Sequence, residues 1–228
     1  MPQAFSGSGP GVQTPDGCSV EFYRKLPYLG ELEDIVHVFP PSCAVLELGC
    51  GTGRLCARLI ELGHKAAGVD ESEDMLRHLP SGVEAIRSSI EALSLPRRWP
   101  VVLLPSHLIN HPDDAIRKAF LQCALRHLAI GGSFFAKRHS AEWLQSIEPG
   151  HIGTMAGVDH YAEYVSRTNG TITMTVRYEA FGNTWRQSFS TVALTEQHVE
   201  DLLLQAGLSV VRWHGPQRLW VEAHASEA

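Results

Sequence analysis

AVLELGCGTG, residues 44–53, decides how this chain is read. AVLELG (44–49) is a continuous apolar run that ends in glycine, the pattern of a strand buried on both faces. The glycines that follow let the backbone turn tightly and approach a ligand where a Cβ would clash. RLCARLIELG (54–63) has helical spacing and closes on glycine. The glycine-rich turn therefore opens a helix whose first N–H groups have no intrahelical partner. KAAGVD (65–70) is a second short strand ending in Asp70. A carboxylate at the end of that strand, about 20 residues beyond the turn, can accept hydrogen bonds from both hydroxyls of a ribose.

Outward from this unit the chain keeps alternating. SEDMLRHL (72–79) is a helix with Ser72 as N-cap. VEAIRS (83–88) and WPVVLLPS (99–106) are the third and fourth strands. AIRKAFLQCALRHLAIGG (115–132) is a long amphipathic helix closed by Gly131 and Gly132, and SFFAKRH (133–139) is the fifth strand. Residues 19–38 look helical, with an interruption near Pro27. Such alternation predicts an α/β, doubly wound, mostly parallel sheet. Its strand carboxyl ends share one edge, where ligands bind. After residue 155 the texture turns to Thr, Val, Tyr and Phe. HYAEYVSR (160–167), TITMTVRYEA (171–180) and TWRQSFSTVAL (184–194) are separated by Asn169-Gly170 and Gly182-Asn183. Both are hairpin signals, and they predict a three-stranded antiparallel insertion after the fifth strand. A helix (195–207) and two strands (208–214, 218–224) complete the pattern. The expected division is a flexible Gly/Pro/Ser-rich terminus over 1–17, then one domain over 18–228 carrying the insertion at 155–194.

Val45-Leu46-Glu47-Leu48-Gly49-Cys50-Gly51-Thr52-Gly53 resembles the first motif of the class I S-adenosylmethionine-dependent methyltransferases. Gly68-Val69-Asp70-Glu71-Ser72, with Met75-Leu76 behind it, resembles their second. Dinucleotide folds usually carry GxGxxG, whereas this run is GxGxG preceded by Glu47. The resemblance covers 20–140 well and 195–224 loosely. It implies a seven-stranded Rossmann-like methyltransferase sheet, with S-adenosyl-L-methionine as cofactor and S-adenosyl-L-homocysteine as product. It also implies roles. Glu47 orients the glycine loop or the methionine amino group. Gly49, Cys50, Gly51 and Gly53 make room for the methionine part. Asp70 with Glu71 holds the ribose. Met75, Ser89 and Ile90 lie toward adenine, with Ser89 where the family usually has an acidic residue. Tyr23 and Tyr28 fold over the cofactor as a lid, and Pro105 heads the loop that closes over the sulfonium. Pro100 stands where members often carry an acidic residue, early in the fourth strand.

Methyl transfer is an in-line displacement, so the protein must align acceptor and methyl and, for some acceptors, remove a proton. The loops after the fourth and fifth strands face the methyl in this family. They carry His107 and His139, the two candidate bases, because an imidazole takes a proton near neutral pH. His107, His111, Asp113 and Asp114 are close in sequence, but Pro112 and the helix behind it direct the two aspartates toward capping. No metal is expected.

The 228 residues are 44% hydrophobic and 19% charged, ordinary for a globular domain. A formal net charge of -6 argues against a nucleic-acid backbone as partner. Five cysteines without a CxxC pair read as free thiols in a reducing compartment. No signal peptide and no apolar run of membrane length is seen, so a cytoplasmic protein is expected. The expected activity is methylation of a small secondary metabolite at oxygen or nitrogen, by a monomer or homodimer. Methylation of tRNA or protein, and a cofactor-binding protein that does not methylate (regulatory or cyclase-like), are the competing readings.

Overall fold

The computed structural model describes residues 5–226. In chain order the elements are β1 (Ser6–Ser8), α1 (Val20–Lys25), β2 (Ala44–Leu48), α2 (Arg54–Glu61), β3 (Lys65–Asp70), α3 (Glu73–Leu76), β4 (Glu84–Arg87), β5 (Trp99–Leu104), α4 (Asp114–His127), β6 (Leu128–Lys137), α5 (Ala141–Ser146), β7 (Gly150–Met155), β8 (Val158–Thr168), β9 (Thr171–Ala180), β10 (Asn183–Val192), α6 (Glu196–Gln205), β11 (Leu208–His214) and β12 (Trp220–Ala225). They form two compact units. One holds the chain up to Leu29 together with Ala141–Ala193, and the other holds Gly30–Ser140 with the chain from Leu194 on. Among the described residues, no helix is long and apolar enough to cross a membrane.

The larger unit is built on a seven-stranded sheet of order β11-β12-β6-β5-β2-β3-β4. β2 pairs in parallel with β3 and β5, and the parallel pairing continues to β4 and β6. β12 runs antiparallel to β6 and β11. The chain winds one way from β2 through β3 and the other way through β5, so the order reverses beside β2, where such sheets bind ligands. Val45, Leu46 and Leu48 are fully buried, as are Val101 to Leu104. Successive strand residues point to opposite faces, so these runs are covered on both sides, which is why they read as unbroken apolar stretches. Each such side chain contributes about 1.5–3 kcal/mol through burial.

Two local expectations are corrected here, the end of the long helix and the extent of the first. The long helix stops at His127, and the chain turns into β6 at Leu128; the two glycines lie inside that strand. Pro100 is the second residue of β5, and the β5–β6 register shifts between Trp99 and Val101. Proline lacks a ladder donor and is tolerated at such an irregularity. The helical stretch expected over 19–38 shrinks to α1 and a 3-10 turn at Val36–Val38. Leu26, which precedes Pro27, is extended (φ -68°, ψ 124°), as the proline ring requires.

The smaller unit is a five-stranded antiparallel sheet, β1-β10-β9-β8-β7. The three expected strands are there, joined by β7 and β1 at the edges. Asn169-Gly170 turns the β8–β9 hairpin with both residues at positive φ, the type I′ geometry that matches strand twist. The next hairpin turns on Phe181-Gly182 instead of Gly182-Asn183, because Asn183 already pairs with Ala180. Ile172, Met174 and Val176 alternate along β9 and are buried with Leu144, Ile147 and Ala162. Of the terminus expected to be flexible, residues 1–4 lie outside the described residues. Ser6–Ser8 instead pairs with β10, Ser6 opposite Ser188. A Cβ on Gly7 would lie 2.2 Å from the Gly17 carbonyl oxygen, so the small residues that resemble a loose tail are what this close backbone packing needs.

Candidate functional site

The loop after β2 is tied down by the end of β3. The N–H groups of Gly49 and Cys50 both donate to the Val69 carbonyl, at 2.9 Å each. The Gly51 N–H donates to Asp70 Oδ2 (2.8 Å) and the Ser72 N–H to Asp70 Oδ1 (2.9 Å). Asp70 is thus fixed by the backbone of the glycine loop on one side and of the α3 cap on the other. The glycines differ in what surrounds them. A Cβ on Gly49 would come within 2.7 Å of Leu108 Cδ1, with Ile90 Cδ1 at 3.8 Å. A Cβ on Gly51 would meet nothing within 4 Å, although the residue sits at φ +55°. Gly49 is packed against its own protein, and Gly51 faces open space.

Beneath the loop, Glu47 is 2% exposed and accepts a hydrogen bond from the Cys56 thiol (3.0 Å). Burial, with the charge of Asp70 adding to it, pushes its carboxyl up to about 8. Burial also drives the Cys50 and Cys56 thiols far up, so both stay protonated and neither serves as a nucleophile. All five cysteines are free thiols. Ile90 is buried beside Gly49. Met75 is buried on α3. Glu71 is exposed. The Ser89 hydroxyl accepts from the Ala92 N–H (3.3 Å), closing a local turn. Pro105 is buried at the end of β5. Tyr23 belongs to the smaller unit. There it packs edge-on against Phe22, and the Cys18 thiol together with burial pushes its phenol up.

The strand ends beside this loop bring the two candidate bases together. Ser106 and His107, just after β5, both have positive φ (58° and 60°). Such backbone costs about 1–3 kcal/mol per residue and clusters at functional sites. The His107 ring stacks on that of His139, centroids 3.7 Å apart and planes 16° from parallel. His107 Nδ1 is buried without a hydrogen-bond partner. Burial, then His139 and Lys137, hold the His107 imidazole well below its usual range. Burial and Lys137 bring His139 down to about 4. At neutral pH both rings are uncharged. Lys137 itself is lowered by burial and lies over the Trp220 ring, 5.7 Å from its centroid. Asp113 caps α4 by accepting from the Ala115 N–H (2.8 Å), and Asp114 pairs with Arg117.

Sequence reasoning passed over Leu108, which fills the space a Cβ of Gly49 would take, and Asn110. Asn110 is 1% exposed, and its Oδ1 accepts from the His139 N–H at 2.9 Å. The available signal was a polar residue directly behind two apolar ones in a loop at a strand's carboxyl end.

Residues 45–132 match the family described as "Methyltransferase domain". A curated relative, the cypemycin N-terminal methyltransferase of a Streptomyces species, is 34% identical over 97 residues, 40% of this chain and 40% of the relative. The match thus spans two fifths of that protein's length. The structure of the CcbJ methyltransferase from Streptomyces caelestis superposes with a TM-score of 0.74 at 20% identity, covering 91% of this chain and 96% of that one. The sugar N-methyltransferase KedS8 from Streptoalloteichus superposes with a TM-score of 0.72, also at 20% identity, over 95% and 98% of the two chains. Residues 45–132 are thus similar to that methyltransferase family, and the fold is the one those structures share.

Proposed function

We propose that this chain transfers the methyl group of S-adenosylmethionine to a nitrogen or oxygen of a small molecule of bacterial secondary metabolism, with His107 and His139 as the proton-accepting groups. The observation that carries the reading is the stacked, uncharged histidine pair at the two strand ends beside a glycine loop pinned to Asp70. The names of two relatives specify nitrogen acceptors, a peptide N-terminus and a sugar, and this favours an amine.

The cofactor, when bound, supplies an electrophilic methyl on a sulfonium. The chain has three tasks around it. Asp70 suits the ribose diol, since each carboxylate oxygen accepts more than one hydrogen bond. Glu47, protonated by its burial, would release its proton to solvent and pair with the ammonium of the methionine part. The histidines take the proton that an ammonium or hydroxyl acceptor must shed. An imidazole neutral at the working pH is free to accept that proton, although one held near 4 is a weaker base than one matched to the working pH.

The test is calorimetry with S-adenosylmethionine and S-adenosylhomocysteine on the wild type and on Asp70→Ala, followed by labelled cofactor with a panel of amines and phenols. Wild-type binding that collapses in the variant, then label transfer, is the expected result. No wild-type binding would overturn the reading.

A further inference from the structure

We propose that Asn110 is a positioning residue that clamps His107 and His139 face to face. The proposal rests on the reading of those histidines as the proton acceptors. Asn110 closes a 3-10 turn, Leu108–Asn110, directly behind β5. Its backbone N–H donates to the His107 carbonyl (2.9 Å), and its side-chain Oδ1 accepts from the His139 N–H (2.9 Å). One residue therefore bonds the backbone of each histidine, one through its main chain and the other through its side chain. The first bond supports a histidine at φ 60°, in the left-handed region that non-glycine residues seldom occupy. The second spans from the loop after β5 to the loop after β6. With both backbones fixed, the rings meet at 3.7 Å.

The clamp is an amide for a reason. Besides burial, the groups acting on the His107 ring are His139, the Lys137 ammonium and the Arg138 backbone, and the group acting on His139 is Lys137. The Arg138 guanidinium donates to the carbonyls of Leu194 (3.1 Å) and His139 (3.3 Å) and pairs with Glu196 (3.5 Å), so its charge is partly met by that carboxylate. A carboxylate at position 110 would accept the same N–H, but its charge would favour protonated imidazoles and remove the free base. An amide gives the bond without the charge.

The experiment follows the histidine ring signals by NMR through a pH titration of the full-length wild type, Asn110→Asp and Asn110→Ala, with kcat measured on the acceptor the wild type uses. In the wild type His139 is expected to titrate near pH 4, with ring-to-ring contacts to His107. Asn110→Asp keeps those contacts and moves both titrations upward. Asn110→Ala loses the contacts, and its kcat falls about 10- to 100-fold while affinity for S-adenosylmethionine holds within about twofold. A folded Asn110→Ala whose rings stay in contact and titrate as in the wild type overturns the proposal. Should that variant not fold, an Asn110→Asp protein with unshifted titrations overturns it equally. A wild type that neither binds cofactor nor methylates, yet shows the ring behaviour above, would sink the proposed function and leave the clamp standing.

Discussion

The glycine loop and the histidine pair lie at neighbouring strand ends, yet they are made differently. Main chain makes the loop: Gly49, Cys50 and Gly51 give their N–H groups to Val69 and Asp70, and the shape follows from what the glycines lack. Side chains make the pair: two imidazoles from separate loops meet at 3.7 Å, and their burial keeps them uncharged at neutral pH. The loop's specification is local in sequence. The pair's depends on the sheet having formed.

The largest effect that would test this separation is at the pair. His139→Gln and His107→Gln are expected to lower kcat by about 10²- to 10⁴-fold, the usual worth of a general base, with affinity for S-adenosylmethionine within about twofold of wild type. Steady-state kinetics beside calorimetry separates the two. If affinity falls along with kcat, the two regions are one device. The pH profile of kcat sharpens the point. With His139 at about 4, activity persists below pH 6.5 and falls only as the pH approaches 4. A limb centred near 6.5 would mean that the ring is exposed to water in the working enzyme.

A smaller effect distinguishes glycines within the loop. Gly49→Ala places a Cβ 2.7 Å from Leu108 at φ +74°. Left-handed backbone and overpacking together should cost about 2–4 kcal/mol of stability. Gly51→Ala meets no neighbour, so its stability cost is the backbone share alone, about 1–2 kcal/mol. On the proposed reading its larger penalty should fall on cofactor affinity, because a Cβ there enters open space beside the loop. Denaturation and calorimetry on both variants check this. Equal affinities for Gly51→Ala and wild type would mean that the cofactor does not pass over Gly51.

How far sequence reached follows the same division. AVLELG and KAAGVD announce buried strands by their own composition, and Gly51 and Asp70 find each other because adjacent parallel strands bring their ends together. His107 and His139 were visible as residues but not as a stack, since nothing local says that two loops will close on each other. Asn110 was hidden further, because half of its role is a bond to a backbone N–H, which carries no sequence signature. Ser6–Ser8 was hidden for a related reason: its place in the small sheet is held by backbone pairing, and Gly and Ser read the same in a packed edge as in a loose tail.

The smallest effect concerns Glu47, the buried carboxyl beneath the loop. Its folded-state value of about 8 lies above the ordinary 4.5, so the folded protein holds a proton that the unfolded chain releases. The associated stabilisation is fully present below pH 4.5 and is lost as the pH rises through about 8. His139 and His107 tilt the other way, since their folded values lie below the ordinary 6.5, and their share is lost only as the pH falls below that value. Between pH 6.5 and 8 the histidines no longer contribute a slope, and Glu47 tilts stability alone among these three. Wild-type stability is therefore expected to drop by about 1–2 kcal/mol across that window. Glu47→Gln, which keeps the shape without the ionisation, should hold level across it. Urea denaturation at intervals of pH reads both curves. A sloping Glu47→Gln curve would assign the proton elsewhere, and a level wild-type curve would mean that Glu47 is already ionised at neutral pH, with its charge met by the loop before any ammonium arrives.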